Sequence, residues 1–445
     1  MVFNKLMLFS LLAVLLFANS EAFSSNIIKT SNAGAGLADA TTVQNRCDFQ
    51  IGWTQGVRGG LDGEVVRVTN LNRSGPGSLA AAIKMKKPRL VVFEVGGVID
   101  LDTSTLKIKH PHITIAGQTA PFPGITLIRG NLRVKNTHDV VLQHLRIRPG
   151  TAEQKIGWEP DGLTVWDSKR VIVDHLSVSW GVDENLSVSG TKREGSTQKE
   201  WRENASSEVT IINSIIAEGL HYATHKKTPH SKGSLISDYS TNIFIYNNLY
   251  ASNHMRNPRF ARSSKGAIVN NYIANPGEKV IQAWQLKELP NGEEPETLQL
   301  SIVGNYVQGG KDTVSDIALL ESTDNVQTYF YDNILLNLDG SEIPMLRRWK
   351  KTDRFITDII GQAVLWPDNF SATSGISVAQ NIWTTVGARP NERDSIDQRI
   401  IEQAKNNTGR IINHEKEVGG YPEYEMTTAV FNPGDWNACM EAVVD

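Results

Sequence analysis

The sequence predicts an all-β protein, a single-stranded right-handed parallel β-helix with short capping helices. Three observations predict this fold. A unit of two short apolar strands around one polar residue recurs along the chain, that polar residue is mostly Asn, and Asn-Gly or Asp-Gly hairpin turns are few. Because one such unit cannot bury its apolar face alone, successive units must stack as a solenoid.

The polar residue between the two strands marks a corner of the solenoid. Asn adopts the left-handed backbone region more readily than other non-glycine residues, and its amide can bond along a stack. The repeat therefore predicts a column of corner residues at His144, His175, Asn213, Asn248, Asn271, Asn305, Asn333 and Asn381. It favours a structural role for the two histidines over a catalytic dyad of His175 with Asp174.

Short helices are predicted near both ends of the solenoid, where strand edges and core need cover. Residues 78–84 predict one after the Gly75-Pro76-Gly77 turn. Asp394 or Ser395 is expected to cap a second helix that runs to Ala404 and carries one apolar face.

The organisation of the chain follows from these elements. Lys5, the apolar run after it and a small-residue cleavage pattern at 20–22 predict a signal peptide. The protein is expected to be secreted, extracellular or periplasmic, and monomeric, with no membrane association after cleavage. The predicted segments are the signal peptide (1–22), an N-terminal extension (23–45), the β-helix catalytic domain (46–390), and a C-terminal helix and tail packed on the β-helix (391–445).

Global charge and cysteine content give few further clues. The formal net charge is −3, so nothing indicates nucleic acid as a partner, and an acidic substrate would need a local basic patch. The two cysteines, Cys47 and Cys439, lie near opposite ends, and the sequence leaves open whether they form a disulfide.

Seven segments, in order along the chain, resemble a known family. They are VTNLNRSGPGSLAAAI (68–83), TIAGQTAPFPGITL (114–127), LRIRPG (145–150), DGLTVWDSKRVIVDHLSVSWGVDENLSV (161–188), HSKGSLI (230–236), HMRNPRF (254–260) and GRIINHEKEVGGYP (409–422). With these motifs the chain resembles the extracellular pectate lyases of polysaccharide lyase family 1. The resemblance implies the β-helix and calcium-assisted β-elimination in an acidic pectic polysaccharide, (1→4)-α-D-galacturonan.

The resemblance also implies a calcium site. Asp161 and Asp183 match family calcium ligands, and Glu184 is a further candidate ligand. The family often has another carboxylate four residues after the position of Asp183, where this chain has Ser187. Glu184, Glu159 or water would then complete the ligand set, because calcium prefers six to eight oxygen ligands.

The basic residues of the resemblance supply substrate contacts and the catalytic group. Lys232 matches a family lysine that contacts the substrate carboxylate, and Arg256 matches the residue at the proton to be abstracted. One of Arg259 and Arg262 matches a second substrate-binding arginine, and the spacing leaves both open. Since arginine normally stays protonated, the final acceptor of the proton is also left open.

Two other function classes compete with the lyase. A β-helical polygalacturonate hydrolase needs opposed carboxylates and no metal, and it would leave the arginines unexplained. A non-catalytic carbohydrate-binding β-helix needs neither Arg256 nor the acidic cluster. The histidines at 221, 225, 230 and 254 fit no regular zinc pattern. Trp158, Trp166 and Trp180 are equally consistent with sugar stacking and with core packing.

Overall fold

A computed structural model describes residues 51–348 and 357–433. The chain forms a right-handed parallel β-helix whose strands belong to three long sheets, here named A, B and C. Four features predicted from the sequence lie outside the described residues: the signal peptide (1–22), the extension (23–45), Cys47 and Cys439. Among the described residues, none of the helices has the length and apolarity to cross a bilayer.

Strands are numbered in chain order, and each turn of the solenoid contributes one strand to each sheet. Sheet A contains β1 Glu64–Val68, β2 Arg89–Phe93, β5 Ile113–Ala116, β8 His138–Gln143, β11 Lys169–Asp174, β14 Ser207–Ile212, β17 Thr241–Tyr246, β20 Lys265–Val269, β23 Leu298–Val303, β26 Val326–Tyr331 and β29 Thr357–Ile359. Sheet B contains β4 Thr105–Ile108, β7 Asn131–Lys135, β10 Leu163–Trp166, β13 Glu184–Ser189, β16 Lys232–Ile236, β19 Arg259–Ala261, β22 Ile281–Trp284, β25 Leu320–Ser322 and β28 Leu346–Arg348. Sheet C contains β3 Val95–Asp100, β6 Ile125–Ile128, β9 Leu145–Arg148, β12 Ser177–Ser179, β15 Ile215–Ala217, β18 Leu249–Ala251, β21 Tyr272–Ala274, β24 Tyr306–Gln308, β27 Ile334–Leu336 and the antiparallel β30 Thr427–Thr428.

The interior of the solenoid is a column of aliphatic side chains. Parallel pairing places like residues above one another, as where Val171 and Val173 of β11 pair with Val209 and Ile211 of β14. All four are fully buried. The alternation of apolar and polar residues within each strand therefore sends one face into the core and the other toward solvent or a covering segment.

The predicted Asn column is real for four rungs. The amides of Asn248, Asn271, Asn305 and Asn333 form a ladder in which each donates to the next side-chain oxygen at 3.0 Å. The left-handed backbone lies one residue earlier, for example at Asn247 with φ 53°. His144, His175 and Asn213 belong to that earlier column, with φ of 51° to 53°. The prediction had merged two adjacent columns into one.

The predicted corner at Asn381 is wrong. Residues Gly375–Asn381 form helix α3, and a 3-10 turn at Ile382–Thr384 follows. Val378 and Ile382, four residues apart, are buried in one cluster with Tyr272 on the outside of sheet C. The apolar spacing fits a helix as well as a strand, and here packing against an existing sheet favours the helix.

The helices α1 and α4 begin where the sequence predicts, α4 lies elsewhere than at the predicted end, and α2 was not predicted. Helix α1, Leu79–Lys84, is capped by Ser78, and its Leu79 and Ile83 join the core at the N-terminal end. Helix α2 spans Gln198–Asn204. Helix α4, Ser395–Lys405, has Asp394 as N-cap and lies along the outside of sheet C, not over an open end.

Candidate active site

The predicted site residues lie at the beginnings of successive strands of sheet B. Asp161 precedes β10, Glu184 begins β13 and Lys232 begins β16. Glu184 pairs directly with Lys232, and Lys232 forms a bridge with Met255, the residue before Arg256. Because neighbouring strands are about 4.8 Å apart, four turns of the solenoid bring these side chains to one edge.

These side chains line one groove with a cavity volume of about 640 Å³. Six of the seven predicted site residues contribute to its wall: Asp161, Asp183, Glu184, Lys232, Arg256 and Arg262. Further lining residues include Arg133, Glu159, Trp166, Ser187, His225, His230 and Asp238. The seventh predicted residue, Arg259, lies on the neighbouring rung of the same sheet, where it pairs with Leu235 of the groove wall.

Three carboxylates form an acidic cluster in this groove. One oxygen each of Asp161, Asp183 and Glu184 can be chosen so that all three lie within 4.8 Å of one another. Asp161 accepts hydrogen bonds from the Thr164 hydroxyl at 2.7 Å and from the backbone N–H of Glu184 at 3.2 Å. Burial and the nearby charge of Asp183 raise the pKa of Asp161 to about 7. The nearby charge of Arg133 acts against this shift but does not cancel it.

Asp183 differs from Asp161 in having histidine partners. Its Oδ1 lies 2.7 Å from Nε2 of His230 and 3.5 Å from Nε2 of His225. Burial acts against ionisation, but the hydrogen bond from His230 prevails and lowers the pKa of Asp183. The pKa of Asp161 is thus raised and the pKa of Asp183 is lowered, because the two carboxylates have different neighbours.

Arg256 faces the acidic cluster and forms an ion pair with the buried Glu184. Its backbone is left-handed, with φ 64°, and its carbonyl accepts from the N–H of Ser234 at 2.7 Å. A Cβ at Gly233 would lie 2.5 Å from that carbonyl, so only glycine permits this approach. Burial lowers the pKa of Arg256 to about 10, although Asp183 and Asp161 oppose the shift.

Lys232 is buried beside His230. Its Nζ lies 2.8 Å from Nδ1 and 2.9 Å from Nε2 of that imidazole. Burial lowers the pKa of Lys232 to about 8, with Asp183 acting in the opposite direction. The ammonium is thus held in a partly desolvated position on the groove wall, where its attraction to an anion is stronger than in water.

Arg259 and Arg262 both lie over one aromatic ring. Their guanidinium carbons are 5.2 Å and 5.9 Å from the ring centroid of Trp284. Arg262 also donates to Asp238 at 2.8 Å, whereas burial, with Arg256 and Arg262 nearby, lowers the pKa of Arg259 to about 9. The two arginines remain alternatives for the second substrate contact.

Residues beside the acidic cluster bear on the ligand set. Ser187 is buried, lines the groove and pairs with Thr164 of the neighbouring strand. A hydroxyl therefore occupies the position where the family pattern has a carboxylate. Glu159 accepts the backbone N–H of Lys226 at 2.7 Å and lies at the rim. The position of Glu159 makes it a weaker candidate than Glu184 for the third oxygen ligand.

The histidines and tryptophans separate into structural and groove residues. The rings of His144 and His175 stack with centroids 4.7 Å apart and are buried at a corner of the solenoid. His175 Nδ1 also lies 2.7 Å from Oδ1 of its neighbour Asp174. Trp180 is fully buried, whereas Trp166 lines the groove. From the sequence, substrate or metal binding by His225 and His230 was possible without a regular pattern, and only the fold brings them to Asp183.

The acidic cluster fits a hard divalent cation. All of its donors are carboxylate oxygens, which suit calcium and magnesium and do not favour softer metals. Burial and the charge of Asp183 both disfavour ionisation of Asp161, and a bound cation would favour it. Asp161, Asp183 and Glu184 are the residues that would hold the cation, and Arg256 lies beside them.

Comparisons with known proteins identify the same family as the sequence motifs. The family profile described as "Pectate lyase" matches residues 101–288. A probable pectate lyase C of Aspergillus flavus is 33% identical over 387 residues, which cover 85% of this chain and 82% of the relative. A protein of the same name from Aspergillus oryzae is 32% identical over the same shares.

Solved structures share the fold. The major allergen of cedar pollen matches with a TM-score of 0.50 at 17% identity, covering 76% of this chain and 92% of the allergen. A Bacillus subtilis pectate lyase variant matches with a TM-score of 0.51 at 12% identity, covering 78% and 98%. Both likenesses support the architecture. The identity to the Aspergillus proteins establishes that this chain is a member of the pectate lyase family.

Proposed function

We propose that the protein is a pectate lyase that cleaves (1→4)-α-D-galacturonan by calcium-assisted β-elimination and releases unsaturated oligogalacturonides. One observation carries this proposal. An acidic cluster and the basic residues Lys232 and Arg256 converge on one groove, although up to 95 positions separate them in sequence. The names of the Aspergillus relatives support it.

The proposed cation ligands are Asp161, Asp183 and Glu184. When bound there, calcium would neutralise the substrate uronate and make the proton α to its carboxylate more acidic. Asp161 supplies an oxygen whose hydrogen-bond donor, the Thr164 hydroxyl, is neutral, and His230 contacts the carboxylate of Asp183. Glu184 is shared, because the same carboxylate pairs with Arg256.

The cationic side chains bind and orient the acidic polymer. Lys232 offers an ammonium to a substrate carboxylate, and Arg259 or Arg262 offers a planar guanidinium that can bind carboxylate through two parallel bonds. Trp284 holds both guanidinium groups against its faces and thereby limits their orientation. These contacts also stabilise the negative charge that develops next to the carboxylate.

Arg256 is the proposed catalytic residue, placed at the proton α to the uronate carboxylate. Removal of that proton leaves an electron pair that forms the new C=C bond, and the glycosidic C–O bond breaks as its oxygen takes up a proton. Burial lowers the pKa of Arg256 to about 10, so its neutral, proton-accepting fraction increases in alkaline solution. The turnover rate should therefore rise with pH above neutrality.

A product assay tests this function. Polygalacturonate incubated with the protein and calcium should give products with the ultraviolet absorbance of a conjugated double bond, and chelation should abolish their formation until calcium is restored. Reducing ends without that absorbance would support a hydrolase. Binding without any product would support a non-catalytic β-helix.

We further propose that the protein acts outside the cell, as expected for an enzyme with a polymeric substrate, and that it acts as a monomer.

A further inference from the structure

A chain of side-chain contacts joins the proposed substrate-binding lysine, Lys232, to the proposed cation ligand Asp183. Lys232 Nζ lies 2.8 Å from Nδ1 and 2.9 Å from Nε2 of His230, and Nε2 of the same ring lies 2.7 Å from Oδ1 of Asp183. An ammonium only donates and a carboxylate only accepts. The ring of His230 therefore lies between a cationic donor and an anionic acceptor and contacts both.

The surroundings of His230 hold this ring in place. It is 4% exposed, and it stacks on His225 with ring centroids 3.6 Å apart and an interplanar angle of 13°. The backbone N–H of His230 donates to the His221 carbonyl at 2.7 Å. A buried ring fixed by stacking and by its backbone can transmit a fixed orientation to both of its partners.

The second ring supports the same carboxylate. Nδ1 of His225 accepts the backbone N–H of Lys227 at 2.8 Å, which places the ring proton on Nε2. That nitrogen is directed toward Asp183 Oδ1 at 3.5 Å. Both imidazoles therefore lie against the same carboxylate oxygen, an arrangement that can fix the orientation of Asp183.

We propose that His230 is a positioning residue that holds Asp183 and Lys232 in one geometry, so that cation affinity and substrate-carboxylate binding both depend on a single imidazole. The inference rests on the proposed function, in which Asp183 is a cation ligand and Lys232 a substrate contact. His230 contacts both residues and acts through them, not as a cation ligand or as a substrate contact. Loss of the ring would release both residues at once, although they belong to different parts of the site.

The test compares His230→Ala, His230→Gln and Asp183→Asn in the full chain. Calorimetric titration with calcium alone measures cation affinity, and steady-state kinetics on polygalacturonate separate KM from kcat. His230→Ala should weaken calcium binding by roughly 10- to 100-fold, as expected for loss of an outer-shell partner, and should raise KM measured at saturating calcium. His230→Gln keeps a donor and an acceptor, and it should recover part of both losses.

A histidine outside the groove provides the control for loss of a histidine–aspartate contact elsewhere in the fold. His138 lies 2.7 Å from Asp139 in sheet A and does not line the groove, so His138→Ala should leave calcium affinity and KM unchanged. Wild-type calcium affinity in His230→Ala beside a loss in Asp183→Asn would overturn the inference and leave the proposed function standing. Wild-type affinity in both variants would overturn the proposed cation site as well. A Gln variant no better than Ala would also contradict the positioning role.

Discussion

Two clusters of buried charge in this protein have similar side chains and different surroundings. The clamp cluster joins Arg146 and Arg148 of β9 to Asp394 and Asp397 of α4, and all four side chains are at most 1% exposed. The groove cluster joins Asp161, Asp183 and Glu184 to Lys232 and Arg256. Both contain one carboxylate with a raised pKa and one with a lowered pKa.

The clamp cluster is balanced and closed. Arg148 binds both oxygens of Asp394 at 2.6 Å and 3.0 Å and reaches Asp397 at 2.8 Å. Ser177 donates to Asp397 at 2.6 Å. Burial acts against ionisation, but Arg148 and Arg146 lower the pKa of Asp394, whereas burial and Asp394 raise the pKa of Asp397. Two arginines match two aspartates, so this cluster has no charge left for a ligand.

The groove cluster is open. Three carboxylates lie beside Lys232 and Arg256, further basic residues such as Arg133 line the same groove, and Asp161 accepts its hydrogen bonds from the neutral donors Thr164 and the Glu184 backbone. The difference teaches that similar residues fasten a helix where each carboxylate has a fixed cationic partner, and form a ligand site where a carboxylate hydrogen-bonded to neutral donors faces a cavity. The predictions below sharpen or break this distinction.

The largest expected effect on stability comes from the clamp cluster. Arg148→Ala leaves two buried aspartates short of a partner and should lower the free energy of unfolding by about 3–5 kcal/mol. Denaturant unfolding measures this change. The half-exposed Arg129, which pairs with Asp100, provides the control: Arg129→Ala should cost less than about 1 kcal/mol. Equal losses in the two variants would mean that the clamp does not fasten α4.

Asp161→Asn tests whether ionisation of the Asp161 carboxylate destabilises the folded protein. The folded pKa of Asp161 is about 7 against an ordinary 3.8, so its ionisation opposes folding. This penalty is absent below the ordinary pKa, grows as pH rises between the two values, and is complete above about pH 7. Without calcium, the variant should therefore melt a few degrees higher than wild type at about pH 8 and equally at about pH 4.

The same variant should bind calcium more weakly, and wild-type calcium affinity should fall as pH drops below about 7, because Asp161 then takes up a proton. Asp394→Asn is the opposite case, since the pKa of Asp394 is lowered and its charge stabilises the fold near neutrality. If the calcium-free Asp161→Asn variant melted below wild type at about pH 8, ionised Asp161 would not destabilise the fold, contrary to this prediction.

Ser187→Asp should have a smaller effect. The substitution adds a carboxylate beside Asp161 and Thr164, at the position where family relatives often have one. More ligand charge should tighten calcium binding, on the order of tenfold, while the metal-free protein loses stability through added repulsion. Calorimetric titration and thermal melting measure the two changes. Unchanged calcium affinity would place Ser187 outside the ligand set.

The sequence predicted the parts that depend on local pattern. The Asn repeat gave the ladder from Asn248 to Asn333, and Ser78 and Asp394 marked the starts of α1 and α4. Motifs located the groove residues, because Asp161, Lys232 and Arg256 lie in recognisable segments. These features follow from short stretches of chain and from the stacking of equal units.

Other features depend on contacts that no local pattern contains. The SVAQNIWT segment forms α3 because sheet C offers an apolar surface to Val378 and Ile382. His230 reaches Asp183 because β16 pairs with β13 one turn later, so that two residues 47 positions apart in sequence come into contact. The pairing of Glu184 with Arg256 likewise crosses three rungs.

The measurement that tests the central claim most directly is made on Arg256→Ala loaded with calcium. The account predicts that formation of unsaturated product from polygalacturonate falls by at least about 1,000-fold. Calcium should still bind, because the three carboxylates are left in place, and the bound cation should offset part of the stability lost when Glu184 loses its arginine partner. Turnover at the wild-type rate in this variant would contradict the account, since the groove would then perform its chemistry without the arginine that faces the acidic cluster.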